Sequence, residues 1–248
     1  MSVSIARLFG VVLCCLAASP VSAGVAGDGT AAECSPTRPN GYTPEGAFVS
    51  NNYGFGALVV GLWTWPSVNA ASLVRSDGAV HVKLGWWRVA PGELTLAGRR
   101  IDGSAPAPRV SVGTVEAYGE KGFVNSSLLF ATRGCYEVVG RLGEAELPVI
   151  LRIDVGAERW SPPVAAKPAV RVRRGVVAVR WKLGAPGRQF DLALRRGAGP
   201  WRLIRKASDS RTKLVLRPRF AGRYSVRIRA HDDFGAGRWS APARFRVR

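Results

Sequence analysis

Histidine is nearly absent from this chain of 248 residues, which contains only His81 and His231. Neither has other metal ligands at a recognised spacing, so we expect no metal site. The sequence also lacks a Gly-x-Ser-x-Gly elbow, a His-Glu-x-x-His motif, a phosphate-binding loop and a dinucleotide fingerprint. We therefore predict a protein that is not an enzyme and uses no cofactor. The alternative is a small extracellular hydrolase or its accessory module, with its site on the first domain near Trp86 and Trp87. A glycosidase would need two carboxylates that meet in space, and no spacing favours a pair among Glu116, Glu120 and Glu137.

Long hydrophobic runs are missing as well. The apolar stretch at residues 8–18 is too short to remain as a membrane anchor. It follows Arg7 and precedes the small residues Val-Ser-Ala at 21–23, a pattern typical of a cleaved signal peptide. We predict a signal peptide at residues 1–23 and no membrane-spanning segment after cleavage. The product would be secreted or held in the cell envelope, extracellular or periplasmic.

Cysteine is scarce, with four in the chain and two of them inside the predicted signal peptide. The two that remain are Cys34 and Cys135. An exported protein with two cysteines most simply pairs them. Such a bridge closes a loop of roughly 100 residues, which is worth about 4.7 kcal/mol in the chain-entropy model. Two free thiols or a metal site are the alternatives.

Acidic residues are few: 17 Asp and Glu stand against 36 Lys and Arg, for a net charge of +19. From Pro162 onward there are 23 basic and 4 acidic residues, whereas residues 24–161 are nearly neutral. This excess suggests an anionic partner such as nucleic acid, an acidic glycan, an envelope polymer or anionic lipid. A general compositional preference for arginine is the alternative.

Sustained helical periodicity is also lacking, and short strand-like runs separated by turn signals take its place. For residues 24–155 this pattern predicts a disulfide-tied sandwich of antiparallel sheets. The predicted strands are 56–65, 80–89, 92–100 and 109–115, followed by a hairpin of 136–141 and 146–153 around Gly143.

The same region has a recognisable order of motifs. Cys-x-x-Thr-x-Pro-Asn-Gly starts at Cys34, Asn-Tyr-Gly and Trp-Trp-Arg follow, and Gly-Cys-Tyr-Glu-Val surrounds Cys135. This order resembles a family of uncharacterised secreted bacterial proteins whose domain ends in a Gly-Cys-Trp/Tyr-Glu-Val segment. The resemblance covers residues 34 to about 153. It implies export, a β-rich fold and a Cys34–Cys135 bridge, and no activity.

Tryptophans of the first domain are a candidate aromatic surface. Trp63 and Trp65 would share one face of a strand. Trp86 and Trp87 are adjacent, so one of them must point away from the core. The exposed member could stack on a sugar ring, or a loop or neighbouring domain could cover it.

The second half follows a Pro-rich linker at 156–167 and spans residues 168–248. Its predicted strands are 176–183, 189–195, 201–206, 213–216, 223–230 and 243–247. With Trp181, the run Tyr224-x-Val226-x-Ile228 and Trp239-Ser240, this half resembles a fibronectin type III domain. The resemblance implies that Tyr224 is the corner tyrosine, and it implies nothing specific about function.

Alternation along the last two long strands predicts an arginine-rich sheet face. If Tyr224, Val226 and Ile228 face the core, then Arg223, Ser225, Arg227 and Arg229 face outward. The candidate anion-binding residues are Arg195, Arg227, Arg229, Arg244, Arg246 and Arg248. The alternative is a solvated face that serves solubility. Glu137, Glu144 and Glu146 of the hairpin could also meet this face.

These observations predict an all-β chain of two β-sandwich (immunoglobulin-like) domains in tandem after a cleaved signal peptide. We expect an exported, non-enzymatic binding or structural module at the cell envelope or outside the cell. The first alternative is a binder of anionic polymers through the arginine-rich face.

Overall fold

The computed structural model describes residues 34–47, 51–182, 189–207 and 212–248. The predicted signal peptide lies outside these residues. The described part is built almost entirely of antiparallel strands around two separate hydrophobic cores. The predicted all-β class and the tandem β-sandwich arrangement are therefore confirmed. No helix within the described ranges is long and apolar enough to cross a membrane.

Within the described residues, the first sandwich consists of eight strands in two sheets. One sheet has the order β1-β2-β3-β6-β5 and the other has the order β4-β7-β8. Trp86, Phe130 and Tyr136 are the largest apolar side chains buried between them. The strands are β1 Asn52–Phe55, β2 Leu58–Gly61, β3 Val80–Arg88, β4 Thr95–Arg100, β5 Arg109–Val112, β6 Gly122–Phe130, β7 Gly134–Leu142 and β8 Ala145–Ile153. A short 3-10 turn, Ala71–Leu73, and one helical turn, α1 Val115–Tyr118, connect them.

Strand β6 was not predicted, because its Asn-Ser-Ser centre interrupts the hydrophobic alternation. Ser126 is buried in the core, where its hydroxyl accepts a hydrogen bond from Trp86 Nε1 at 3.0 Å and donates to the Leu84 carbonyl at 3.1 Å. A satisfied hydroxyl can occupy a core position at little cost. The predicted strand 56–65 was wrong in its second half, since β2 ends at Gly61 and a turn follows.

The predicted hairpin is confirmed as β7 and β8, which pair from Gly134–Ile153 to Leu142–Ala145 around Gly143 at φ +55°. The Cys34–Cys135 bridge is confirmed as well, with an S–S distance of 2.04 Å. It anchors an amino-terminal arm against the outer edge of β8. There Thr37 N donates to the Ile150 carbonyl at 3.0 Å and Ile150 N donates to Thr37 Oγ1 at 2.7 Å. The arm thereby covers an edge that could otherwise pair with another chain.

In the part of the chain that the structure describes, the second sandwich has seven strands in sheets of the order β9-β10-β13 and β12-β11-β14-β15. Its core contains Trp181 and Phe190. The Tyr224 hydroxyl donates to the Phe220 carbonyl at 2.7 Å, which is the hydrogen bond of a tyrosine corner. The strands are β9 Ala169–Arg173, β10 Val176–Arg180, β11 Gln189–Arg196, β12 Arg202–Ala207, β13 Lys213–Leu216, β14 Gly222–His231 and β15 Ala243–Val247.

The two sandwiches touch through the connection that follows β14. Asp233 accepts from Arg75 Nη1 at 2.8 Å through its carboxylate and from Arg109 Nη1 at 2.6 Å through its backbone carbonyl. Asp232 accepts from Trp160 Nε1 at 3.0 Å. Trp160 belongs to the segment predicted as a linker, so that segment is packed against the second sandwich at this point.

Candidate anion-binding face

The outer face of the four-stranded sheet carries the arginines that alternation predicted. Tyr224, Val226 and Ile228 are buried in the core, so the intervening residues of β14 point outward. Arg223 is exposed, whereas Arg227 and Arg229 are half-buried. The facing prediction was therefore correct, and the burial of two arginines indicates that something covers them.

Two tryptophans cover them and interleave with the arginines. The guanidinium carbon of Arg227 lies 4.2 Å from the Trp201 ring centre and 4.6 Å from that of Trp239. Arg195 contacts the Trp201 ring at 4.6 Å, and Arg229 contacts the Trp239 ring at 4.8 Å. We call this series, in the order Arg195, Trp201, Arg227, Trp239 and Arg229, the ladder. Each contact is within the range of a cation–π interaction.

The spacing of strand residues explains why the ladder fits. Arg195 is the register partner of Ser225, and Arg227 is two residues further along β14. Two residues of an antiparallel strand span about 6.8 Å, which leaves room for one ring between successive guanidinium groups. Trp201 precedes β12 and Trp239 follows β14, so both rings enter from loops. Sequence alternation identified the arginines and missed the two rings, because Trp239 lies in a loop and Trp201, predicted as the first residue of a strand, precedes β12.

The ladder has an acidic end. The buried Asp191 carboxylate accepts from Arg229 Nε at 2.9 Å and lies 2.6 Å from His231 Nε2. Because this carboxylate already faces two basic side chains, its charge is balanced locally. It is not available to the arginines further along the face.

The opposite end of the ladder is open and basic. A cavity of about 710 Å³, which we call the cup, is lined by Arg195, Arg223, Arg244 and Arg246 around the buried Ser225. The register places Arg195 and Arg244 on either side of Ser225, and Arg246 beside Arg223. Among the described residues, no carboxylate lines the cup.

Like charges within the ladder are not fully compensated. Burial, followed by the positive charges of Arg195 and Arg229, lowers the pKa of Arg227 from its ordinary value. The Nε atoms of Arg195 and Arg227 are buried without a hydrogen-bond partner in the described part of the chain. An anion near this end of the ladder would relieve the repulsion.

The structure divides the six predicted anion-binding residues into four sets. Arg195 belongs to both the ladder and the cup, whereas Arg227 and Arg229 belong to the ladder alone. Arg244 and Arg246 are exposed and line the cup. Arg248 is exposed beyond β15 and lies outside both. The predictions missed the roles of Arg223, Trp201 and Trp239, although the outward alternation of Arg223 was already visible.

The predicted approach of the hairpin glutamates to this face was wrong for two of them. Glu137 pairs with Arg99 at 2.6 Å, and Glu146 pairs with Arg141 on the adjacent strand. Both partners belong to the first sandwich, where each is the cross-strand neighbour of its glutamate.

The candidate aromatic surface of the first sandwich contains fewer tryptophans than predicted. Trp86 is fully buried and points into the core, so it is not a surface residue. Trp87 is half-buried on the outer face, and its ring lies close to Gly46 of the amino-terminal arm. Trp63 and Trp65 lie in the turn after β2, not in a shared strand, and each is 43% exposed.

No family model matches this chain. Among solved structures, it is similar to titin domains A168–A170, with 16% sequence identity over 69% of this chain and 59% of that chain, and a TM-score of 0.33. It is also similar to domains FN1–FN3 of chicken CNTN1, with 14% identity, coverage of 68% and 62%, and a TM-score of 0.31. The chain thus spans less than two thirds of the length of either structure. Scores this low support no argument, so the fold rests on the sheets and the tyrosine corner themselves, and the predicted bacterial family stays a prediction.

Proposed function

We propose that this protein is a non-enzymatic binding module that holds anionic polymers on the arginine face of its second sandwich. The observation that carries this proposal is the cup, where four arginines surround Ser225 without a carboxylate among the described lining residues. Guanidinium groups bind carboxylate, sulfate and phosphate groups through paired N–H donors. A site of this kind binds charge and performs no covalent step.

The distribution of acidic residues supports the proposal. Asp191 faces Arg229 and His231, Asp232 binds Trp160, and Asp233 binds Arg75. Each described aspartate of the second sandwich is therefore engaged elsewhere. Arg223, Arg244 and Arg246 have no acidic partner within the described ranges. They remain free to pair with an external anion.

We further propose that the protein acts after export, as an extracellular or envelope component. The Cys34–Cys135 disulfide supports this location, because disulfides persist in oxidising compartments. The corresponding organisation is a signal peptide at 1–23, a disulfide-tied domain at 24–155, a linker at 156–167 and a fibronectin type III-like domain at 168–248.

Elution from immobilised heparin over a NaCl gradient tests the proposal. The variant removes three exposed cup arginines together, as Arg223→Ser, Arg244→Ser and Arg246→Ser. The matched control removes three exposed arginines from the opposite sheet of the same sandwich, as Arg171→Ser, Arg173→Ser and Arg180→Ser. Both variants lose the same charge.

We expect the cup variant to elute at clearly lower salt than the control variant. Loss of three contacts should also reduce the slope of log affinity against log salt by about 2. Equal elution of the two triple variants would show that only overall charge matters, and the proposed site would be wrong. Near-ultraviolet circular dichroism verifies that both variants keep the ladder.

A further inference from the structure

Each tryptophan of the ladder contacts two guanidinium groups. Arg195 and Arg227 are displaced from each other along the strand direction, so they approach Trp201 from opposite sides. Arg227 and Arg229 enclose Trp239 in the same way. These guanidinium groups occupy the ring faces on which a ligand ring would stack, while the two indoles themselves are half-buried.

Covered rings disfavour single-stranded nucleic acid as the ligand. Proteins that bind single strands without sequence preference use exposed aromatic side chains, on which successive bases stack. The ladder places its aromatic groups at the centre of the basic face and makes them unavailable. Its guanidinium groups therefore act through charge and hydrogen bonds alone.

The dimensions of the cup disfavour a nucleic acid duplex. Neighbouring strands lie about 4.8 Å apart, so the backbones of Arg195 and Arg244, on either side of Ser225, are separated by about 10 Å. This width, together with the cavity volume of about 710 Å³, accommodates one extended chain. The major groove alone of a B-form duplex is about 12 Å wide, so a double helix is too broad to enter the cup and could reach only the arginines at its rim through one backbone.

We infer that the ligand of the cup is a single polyanionic chain without bases, namely an acidic polysaccharide with sulfate or carboxylate groups. This inference rests on the proposed function and specifies its ligand class. The acidic group lies over Ser225 and is held by paired guanidinium donors from Arg244 and Arg223. Ser225 also lines the cup, at its floor, and its hydroxyl offers one further hydrogen-bond donor.

Competition against a labelled heparin octasaccharide tests the inference with the full exported chain. The competitors are unlabelled heparin octasaccharide, an oligogalacturonate, an oligothymidylate and a short DNA duplex, all matched in number of negative charges. We expect one or both of the saccharides to compete at least about tenfold better than either nucleic acid, because no base gains stacking energy here. Oligothymidylate or duplex competing equally well would overturn the inference and leave the proposed function intact. If neither the labelled saccharide nor either nucleic acid binds the protein directly, both the inference and the proposed function are overturned.

A variant of the ladder provides a second test, because it should weaken the preference for saccharide over nucleic acid. Arg227→Ala uncovers one face of Trp201 and one face of Trp239, so the preference for saccharide over oligothymidylate should shrink by about fivefold or more. Arg180→Ala on the opposite sheet is the charge-matched control and should leave the preference unchanged. An unchanged preference in Arg227→Ala, with native circular dichroism, would contradict the role assigned to the covered rings.

Discussion

The coupling between Arg227 and Trp239 is the quantity that most directly tests the ladder. Arg227 lies 4.6 Å from the Trp239 ring centre and 4.2 Å from the Trp201 ring centre. Cation–π pairs contribute about 0.5–1 kcal/mol when exposed and about 2 kcal/mol when desolvated. Arg227 is half-buried and burial lowers its pKa, so we expect a coupling free energy of about 1 kcal/mol with Trp239.

A double-mutant cycle of Arg227→Met and Trp239→Leu isolates this free energy. Each single variant also removes repulsion or burial, so the single changes in unfolding free energy do not report it. Urea unfolding followed by far-ultraviolet circular dichroism measures all four proteins at low salt and at 1 M NaCl. We expect the coupling to persist at 1 M NaCl, because packed rings exclude the screening ions that shorten the Debye length to about 3 Å.

The exposed pair Arg99–Glu137, at 2.6 Å with the Arg99 side chain 68% exposed, is the matched control. Its coupling should be about 0.2–1 kcal/mol at low salt and should decline at 1 M NaCl. A coupling below about 0.3 kcal/mol for Arg227 and Trp239 is within the additivity error and would refute the ladder as a stabilising contact. A decline with salt equal to that of the control would refute the argument from exclusion of ions.

Three further changes test the framework around the face. Tyr224→Phe removes the hydroxyl bond to the Phe220 carbonyl and should reduce the unfolding free energy by about 1 kcal/mol in urea titrations; an unchanged midpoint would contradict this. Replacing Cys34 and Cys135 by serine should reduce the unfolding free energy by about 2–5 kcal/mol and leave the salt concentration of heparin elution unchanged. Elution at lower salt would show that the bridge also supports the face. Burial raises the pKa of Tyr136, so its contribution to stability is complete below pH of about 10 and declines as pH rises through the raised pKa. Tyr136→Phe should therefore weaken the fall of the unfolding free energy above that pH, and identical alkaline slopes would contradict it.

Sequence alternation predicted most of the face because a strand has only two sides. Once Tyr224, Val226 and Ile228 were assigned to the core, the outward position of Arg227 and Arg229 followed. The ladder did not follow, because Trp201 and Trp239 enter from loops whose paths depend on tertiary packing. The local sequence of a loop carries no periodicity that fixes where its side chains lie.

The first sandwich shows the same limit. The hairpin was predictable because a glycine turn joins two runs of strand-like residues. The Cys34–Cys135 bridge was predictable because only two cysteines lie outside the predicted signal peptide. The predictions were incorrect at two places where the hydrophobic pattern and the structure disagree. The strand predicted at 56–65 ends at Gly61, and β6 was not predicted at all. In β6, Ser126 occupies a core position only because Trp86 and Leu84 satisfy its hydroxyl. Such partners come from another strand and are invisible in the pattern of β6 itself.

The contacts of Asp233 with the first sandwich, and of Asp232 with Trp160 of the connecting segment, have a consequence for how the protein can be dissected. A fragment that begins after Trp160 would lose Trp160, Arg75 and Arg109 as partners. The Asp233 carboxylate would then lose its basic partner Arg75, whereas the Asp232 carboxylate would keep the backbone donors of Phe234 and Gly235. The first sandwich thus neutralises the charge of Asp233, and the isolated second half, with one more uncompensated negative charge, should bind anions slightly less tightly than the whole chain.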